Sequence, residues 1–326
     1  MDNKRAGSRE RHDRGRLAPG DPLALSVVVS TYNAEAWLEK VLLGYLLQSY
    51  GHFELIIADD GSGPATARLV SAFAAYASFP VRHLWHEDRG YRRQEILNRA
   101  ILEARHGYIL FSDGDCVPRN DFLEVHAAHA TPGHFLSGGY CKIGIEPSRR
   151  IGPDEIEDGS CFDLRWLSRH ERMSLSNRLK LGSGPVFARF LDAVTTAKAT
   201  FNNCNVSAWR DDLLAVNGYD ERMKYGGADR EIGERLANRG IQGLQIRHRA
   251  VCLHLHHERP YRTGESLAYN RAIREETRRE GRTWTPWGLV RERGCREPAG
   301  EQCPILHGNR EAGVAGTMPS TRELIE

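Results

Sequence analysis

The order of apolar and amphipathic stretches predicts an α/β fold: a mostly parallel central sheet with helices on both faces. Three observations point there. From residue 25 to residue 115, strand-like and helix-like stretches alternate with short connections. The strand-like stretches are short, apolar and rich in β-branched residues, as buried strands are. Three of them end in polar residues, Ser30-Thr31, Asp59-Asp60 and Asp113-Gly114-Asp115, on the carboxyl rim where such sheets collect their ligands.

Residues 25–30 (LSVVVS) form the first expected strand. The helix after it carries Trp37, Leu38, Val41, Leu42, Tyr45 and Leu46 on one face. A second strand covers 53–58, and a helix over 65–76 buries Leu69, Val70 and Phe73. A third strand spans 81–85. The next helix, with Ile96, Leu97, Ala100 and Ile101, leads into a fourth strand that starts at Tyr108. The second half is less regular. Residues 138–143 read as a strand entered through glycines, 150–195 as an Arg- and Ser-rich stretch with a loop at 182–184, and 203–209 as a strand. A helix is expected over 211–216, another after the segment 225–231 that stops at Gly240, and a late strand over 246–257.

The fourth strand ends in two carboxylates flanking a glycine. Asp113 and Asp115 repel each other unless something positive lies between them, and a hard divalent cation is the natural neutraliser. Such a cation also grips substrate phosphate. Gly114 leaves room for a close approach to the backbone. By itself the triplet reads equally well as a polar turn, so its surroundings have to decide.

At 326 residues, the chain has length for one large α/β domain with extensions or for two ordinary domains. Lys plus Arg (45) nearly balances Asp plus Glu (43), and no stacking motif accompanies the basic stretches. Nucleic acid is therefore not an expected partner. Charge is uneven, with Lys4, Arg5, Arg9, Arg11, Arg14 and Arg16 in a polar leader that reads as disordered, and arginines again from Arg271 to Arg296. Either stretch suits peripheral contact with the inner face of an anionic membrane, or simple solvation. Seven scattered cysteines without a C-x-x-C pair indicate neither a disulfide framework nor a zinc site. With no signal-peptide core and no apolar run of membrane-spanning length, the expected location is cytoplasmic.

Four pieces of the first half, SVVVSTYNAEAWL (26–38), IIADDGSG (56–63), DRGYRRQEILNRAI (88–101) and YILFSDGDCVP (108–118), resemble in order and spacing the nucleotide-binding half of family 2 glycosyltransferases. Two later pieces, GYDERMKYGGADREIGERL (218–236) and HLHH (254–257), resemble the galactosyltransferase-type C-terminal module of several such enzymes. The resemblance covers about residues 24–260 and implies the Rossmann-like GT-A fold with a C-terminal acceptor-binding region. It divides the chain into a basic tail (1–22), a nucleotide-sugar-binding half (23–135), an acceptor and catalytic half (136–262) and an Arg-rich, partly helical extension (263–326).

The activity so implied is inverting, hexosyltransferase-type transfer of a sugar from a nucleotide diphosphate sugar, UDP-linked, to a hydroxyl of a glycan or glycolipid. Cell-surface polysaccharide or lipopolysaccharide biosynthesis is the implied setting. The resemblance implies Mn²⁺ or Mg²⁺ on Asp113 and Asp115, with His254 or His257 completing the ligands. It makes Asp229 the base, at a helix start that favours the ionised carboxylate, with Glu231 as the fallback. The family's W-G-G-E-D segment reads Tyr225-Gly226-Gly227-Ala228-Asp229 here, and Ala228 in place of glutamate leaves the acceptor type open. Thr31 and Glu35 correspond to positions that cradle the nucleoside, and Asp59 or Asp60 to an acceptor for the uracil N–H. Arg92 and Arg93 would reach the diphosphate, and Asn98 matches a frequent asparagine. Asn203, Asn205 and Trp209 would either meet sugar faces or pack the core.

Two alternatives remain. A nucleotidyltransferase acting on sugar phosphates would place a Gly-rich loop after the first strand, where Ser30-Thr31-Tyr32-Asn33 stands instead. A non-catalytic nucleotide- or carbohydrate-binding module would naturally have lost Asp113, Asp115 or Asp229, and all three are present.

Overall fold

The structure, a computed structural model, describes residues 22–258 and 262–291. The first half alternates as expected: β1 (Leu25–Thr31), α1 (Glu35–Leu46), β2 (Phe53–Asp59), α2 (Pro64–Tyr76), β3 (Val81–Trp85), α3 (Arg93–Glu103) and β4 (Tyr108–Asp113). Then come β5 (Cys116–Pro118), α4 (Phe122–His129), β6 (His134–Ser137) and β7 (Gly139–Lys142). Five short helices follow: α5 (Ile145–Arg150), α6 (Pro153–Glu157), α7 (Leu164–His170), α8 (Leu175–Gly182) and α9 (Pro185–Val194). The remainder is β8 (Val206–Trp209), α10 (Arg210–Ala215), α11 (Ala228–Asn238), β9 (Gln242–Gln245), β10 (Val251–His254) and α12 (Gly264–Arg279).

Seven strands make the main sheet in the order β3-β2-β1-β4-β8-β6-β9. The β3-β2-β1-β4 half is parallel, β8 runs antiparallel to both of its neighbours, and β9 is parallel to β6. Successive residues of β1 serve opposite cores: Leu25, Val27 and Val29 join one apolar cluster, whereas Val28 joins the other. Leu55 and Ile57 against Ile56 and Ala58 repeat the division in β2. Two covered faces explain why these strands read as unbroken apolar runs.

The second half departs from its sequence reading in three places. The stretch 150–195 is largely helical; its helices are too short to show a strong 3.6-residue period. The expected strand over 246–257 is a turn followed by β10, which leaves the main sheet and pairs with β5 and β7. The glycines at 138 and 139 permit that crossing: a Cβ on Gly138 would meet Asn205, and one on Gly139 would lie 1.9 Å from the Arg247 carbonyl oxygen. Thirdly, several arginines of the C-terminal extension are held in ion pairs. Arg274 and Arg278 bind Glu234, tying α12 to α11, and Arg282 binds Glu276 and Glu280. The basic leader and the chain beyond residue 291 lie outside the described residues.

Candidate active site

Strand pairing brings the acidic corner together. In β10 the residue opposite Cys116 is His254, and the Leu255 N–H donates to the Asp115 carbonyl at 2.8 Å. His254 and His257 thereby face Asp115, with Nε2 of His254 4.0 Å from Oδ1 and Nε2 of His257 3.1 Å from Oδ2. Nδ1 of His254 lies 3.0 Å from the Leu255 carbonyl and Nδ1 of His257 2.9 Å from that of Glu258. A carbonyl only accepts, so each Nδ1 is the donor there, and each Nε2 is the ring atom turned toward the carboxylate. Each Nε2 thus meets a carboxylate oxygen across a gap that either a ring proton or a bound cation would satisfy. The donor set of one carboxylate and two imidazoles fits a divalent cation. Cys116 adds a nearby sulfur, within 4.8 Å of ligand atoms on Asp115 and His254. It is fully buried, and its S–H faces Asp115 Oδ1 at 3.3 Å.

Asp113 has a different environment. Its Oδ1 accepts from the Arg93 guanidinium and, at 3.0 Å, from the Ser30 hydroxyl, while Arg93 Nε also donates to Ser30 at 3.0 Å. Burial works against the charge on Arg93, and Asp113, Tyr91, Tyr219 and Asp229 together outweigh it. Positive charge facing Asp113 is thus supplied by the protein itself. Gly114 also answers to the protein: its N–H donates to the Ser30 carbonyl at 2.7 Å, and a Cβ there would sit 3.1 Å from both Ser30 O and Thr31 Oγ1. The room expected for a ligand is filled by the end of β1.

The other expected donor contacts divide. Thr31 Oγ1 is buried without a partner, a hydroxyl at the rim with its capacity unused. Glu35 accepts from the Thr66 hydroxyl at 2.6 Å. Asp59 is fully buried between the Ser62 N–H (2.7 Å) and His83 Nε2 (2.8 Å), and Asp60 holds His86 Nε2 (2.7 Å) and the Arg92 N–H. Arg92 turns to Glu95 and the Glu87 carbonyl, so it braces its own loop. Asn98 clamps α3 to the turn after α10, donating to Tyr219 O and Glu221 and accepting from the Tyr219 N–H. With its amide fully engaged inside the fold, it is a positioning residue rather than a ligand contact. Asn205 is likewise internal, binding His126 and the carbonyls of Gly139 and Ala250. Asn203 accepts from the Tyr219 hydroxyl, and Trp209 packs edge-on against Tyr108.

Asp229 is half-buried in the first turn of α11, where its Oδ1 accepts the Arg230 N–H at 2.8 Å. Burial raises its pKa, and the charge of Asp113 adds to that; Arg230 and Arg93 oppose it. Glu231 has no such freedom. It is 1% exposed, binds Arg235 through both oxygens at 2.7–3.0 Å, and accepts from Thr277 at 3.0 Å. Arg235 is itself fully buried on the carbonyls of Val216 and Gly218. The fallback base is therefore corrected to half of a structural ion pair, for which the E-x-x-x-R spacing on a helix was the available signal. Asn270, which the sequence did not mark, donates to the carbonyls of Lys224, Tyr225 and Gly226 and so holds the loop that presents Asp229.

Residues 26–182 match the family model described as Glycosyl transferase family 2. The validoxylamine A glucosyltransferase of Streptomyces hygroscopicus subsp. limoneus is 26% identical over 230 residues, 67% of this chain and 48% of that protein. The chain spans about half the length of the curated relatives it matches. Among solved structures, mannosyltransferase PcManGT from Pyrobaculum calidifontis, in complex with GDP-Man and Mn²⁺, aligns at a TM-score of 0.50 and 19% identity over 74% of this chain and 60% of its own. TarS 1-349 of S. aureus with UDP aligns at 0.51 and 16%, over 77% and 64%. These likenesses show the fold, which is that of GT-A glycosyltransferases.

Proposed function

We propose that this family 2 protein transfers a hexose from a nucleotide diphosphate sugar to a hydroxyl of a glycan or glycolipid, with inversion at the anomeric carbon. The observation that carries the reading is the meeting of Asp115 with His254 and His257, from segments about 140 residues apart, on the rim where β4 ends. A divalent ion on these three residues, Mn²⁺ suiting mixed imidazole and carboxylate ligands, would supply positive charge to the leaving diphosphate. Arg93, poised on Ser30 and Asp113 at the ends of β1 and β4, offers a second cation to that rim. Thr31 Oγ1 offers a hydroxyl to the nucleoside side. Asp229 takes the acceptor's hydroxyl proton as its oxygen bonds to the anomeric carbon and the bond from that carbon to the diphosphate oxygen breaks. UDP is the working donor nucleotide, and the glucosyltransferase relative supports a hexosyl group.

The test is calorimetry of UDP with Mn²⁺ against the wild type, Asp115→Ala and His257→Ala. Metal-dependent binding should be lost in Asp115→Ala and weakened in His257→Ala. Undiminished binding in both would remove this corner from the reaction.

Contact with an anionic bilayer belongs to the same reading, but α9 supports it better than the arginine stretches. Val186, Phe187, Phe190 and Val194 of α9 are 86, 50, 56 and 54% exposed. Between residues 174 and 198 the exposed charges are Arg178, Arg189 and Lys198, and the single acid, Asp192, is buried on His248 and Arg249. An apolar face flanked by uncompensated cations matches an anionic lipid surface. No helix among the described residues is long and apolar enough to cross a membrane.

A further inference from the structure

A cleft of about 430 Å³ lies between β6–β7, α8, α11 and the turn between β9 and β10, beside the candidate catalytic groups. Its lining carries five cationic side chains, Lys142, Lys180, Lys198, Arg230 and Arg247, and no carboxylate. Among the described residues none of the five forms an ion pair, in a protein where most arginines on other surfaces do. Lys180 is only 6% exposed, and its ammonium donates to the Tyr140 carbonyl at 2.6 Å. Both Lys180 and Lys142 approach the Tyr140 ring, 5.6 and 5.7 Å from its centroid. A carbonyl and a ring face stabilise an ammonium but add no formal negative charge. Five like charges around one cleft repel one another until an anion enters.

The fold holds them there. Close passage of the Arg247 backbone over Gly139 fixes the turn that carries Arg247, since the carbonyl would collide with any Cβ. Gln245, also in the lining, gives its amide N–H to Ala197 O, while its Oε1 is buried with no donor. That oxygen suits a ligand hydroxyl.

Position decides which substrate the cleft serves. β6 and β9 lie at the opposite edge of the sheet from β2 and β3, the side on which the proposed transferase reading places the nucleoside. Arg230 directly follows Asp229 in the chain, and the Tyr140 ring stands 6.0 Å from that of His254. The cleft therefore adjoins the base and the metal corner from the acceptor side.

The geometry points to an oxyanion site for the acceptor: the sugar that receives the transferred hexose carries a phosphate or carboxylate, which this cationic cleft holds. This inference rests on the proposed transferase reading for the word acceptor, while the anion site itself can be tested apart from it. Calorimetry on the full chain with EDTA present would compare glucose 6-phosphate, glucuronate, inorganic phosphate and neutral glucose at low salt. Charged sugars should bind at least ten-fold tighter than glucose, and Lys198→Ala/Arg247→Gln, at exposed and half-exposed positions, should weaken them at least ten-fold without changing Tm. A preference for glucose 6-phosphate over glucuronate selects phosphate, and the reverse selects carboxylate. Binding should persist with saturating UDP and Mn²⁺, whose own titration reports the donor site independently. Equal binding of glucose and the charged sugars, unchanged affinity in the double variant, or displacement by UDP would each overturn the assignment.

Discussion

Replacing Glu231 by Gln separates a structural carboxylate from a catalytic one. The side chain is 1% exposed and Arg235 is fully buried, so the substitution leaves a guanidinium inside the protein without its counter-charge. Three nitrogen–oxygen contacts of 2.7–3.0 Å to Arg235 and the Thr277 bond at 3.0 Å are weakened together. Breaking a buried pair from one side costs about 3–5 kcal/mol, which in a protein of this size corresponds to a fall in Tm on the order of 10 °C. Differential scanning fluorimetry reads that fall. Turnover measured well below the new Tm should stay within about ten-fold of wild type, because the proposed base is Asp229 and Glu231 is held in the buried pair. An unchanged Tm with turnover abolished would refute the reasoning and return Glu231 to the role of base.

Asp229→Asn should lower turnover by about 10²–10⁴-fold, the usual contribution of a positioned base, with UDP–Mn²⁺ binding retained in calorimetry. Near-wild-type rates would move the base elsewhere. Because burial raises the Asp229 pKa, the acid limb of kcat/KM should lie above the ordinary aspartate value of 3.8, activity falling as pH drops through the raised pKa. By linkage, the stability tied to its protonated form is present at low pH and lost as pH rises through that pKa, so Asp229→Asn should raise Tm at neutral pH. A limb at or below 3.8, or a lower neutral Tm in the variant, would contradict this. Phe187→Ser/Phe190→Ser should reduce co-sedimentation with vesicles containing anionic lipid while leaving Tm unchanged; full retention would exclude α9 as the contact.

The first half was legible because β1, β2 and β4 are buried on both faces, which writes an apolar run into the sequence. These three also end on the rim in polar residues. The family pieces within 26–118 fall on β1, β2, α3 and β4 as their order implied. The helices from α5 to α9 were not legible, being five to ten residues long and held by packing rather than by local periodicity. Nor were the roles of Arg92 and Asn98, since a polar residue on a motif looks the same whether it meets a ligand or a partner inside the fold.

By itself, the sequence determined the α/β alternation and the acidic rim, because strand burial and βα connection are local properties of the chain; the metal ligands and the base it suggested are proposals. Only the tertiary structure decided what each charge faces. The crossing of β10 onto β5 turns His254 and His257 toward Asp115, and α3 lays Arg93 on Asp113. The turn over Gly139 gathers Arg247 with four other cations into one cleft. Pairings across such separations depend on register and backbone clearance, which no window of sequence encodes.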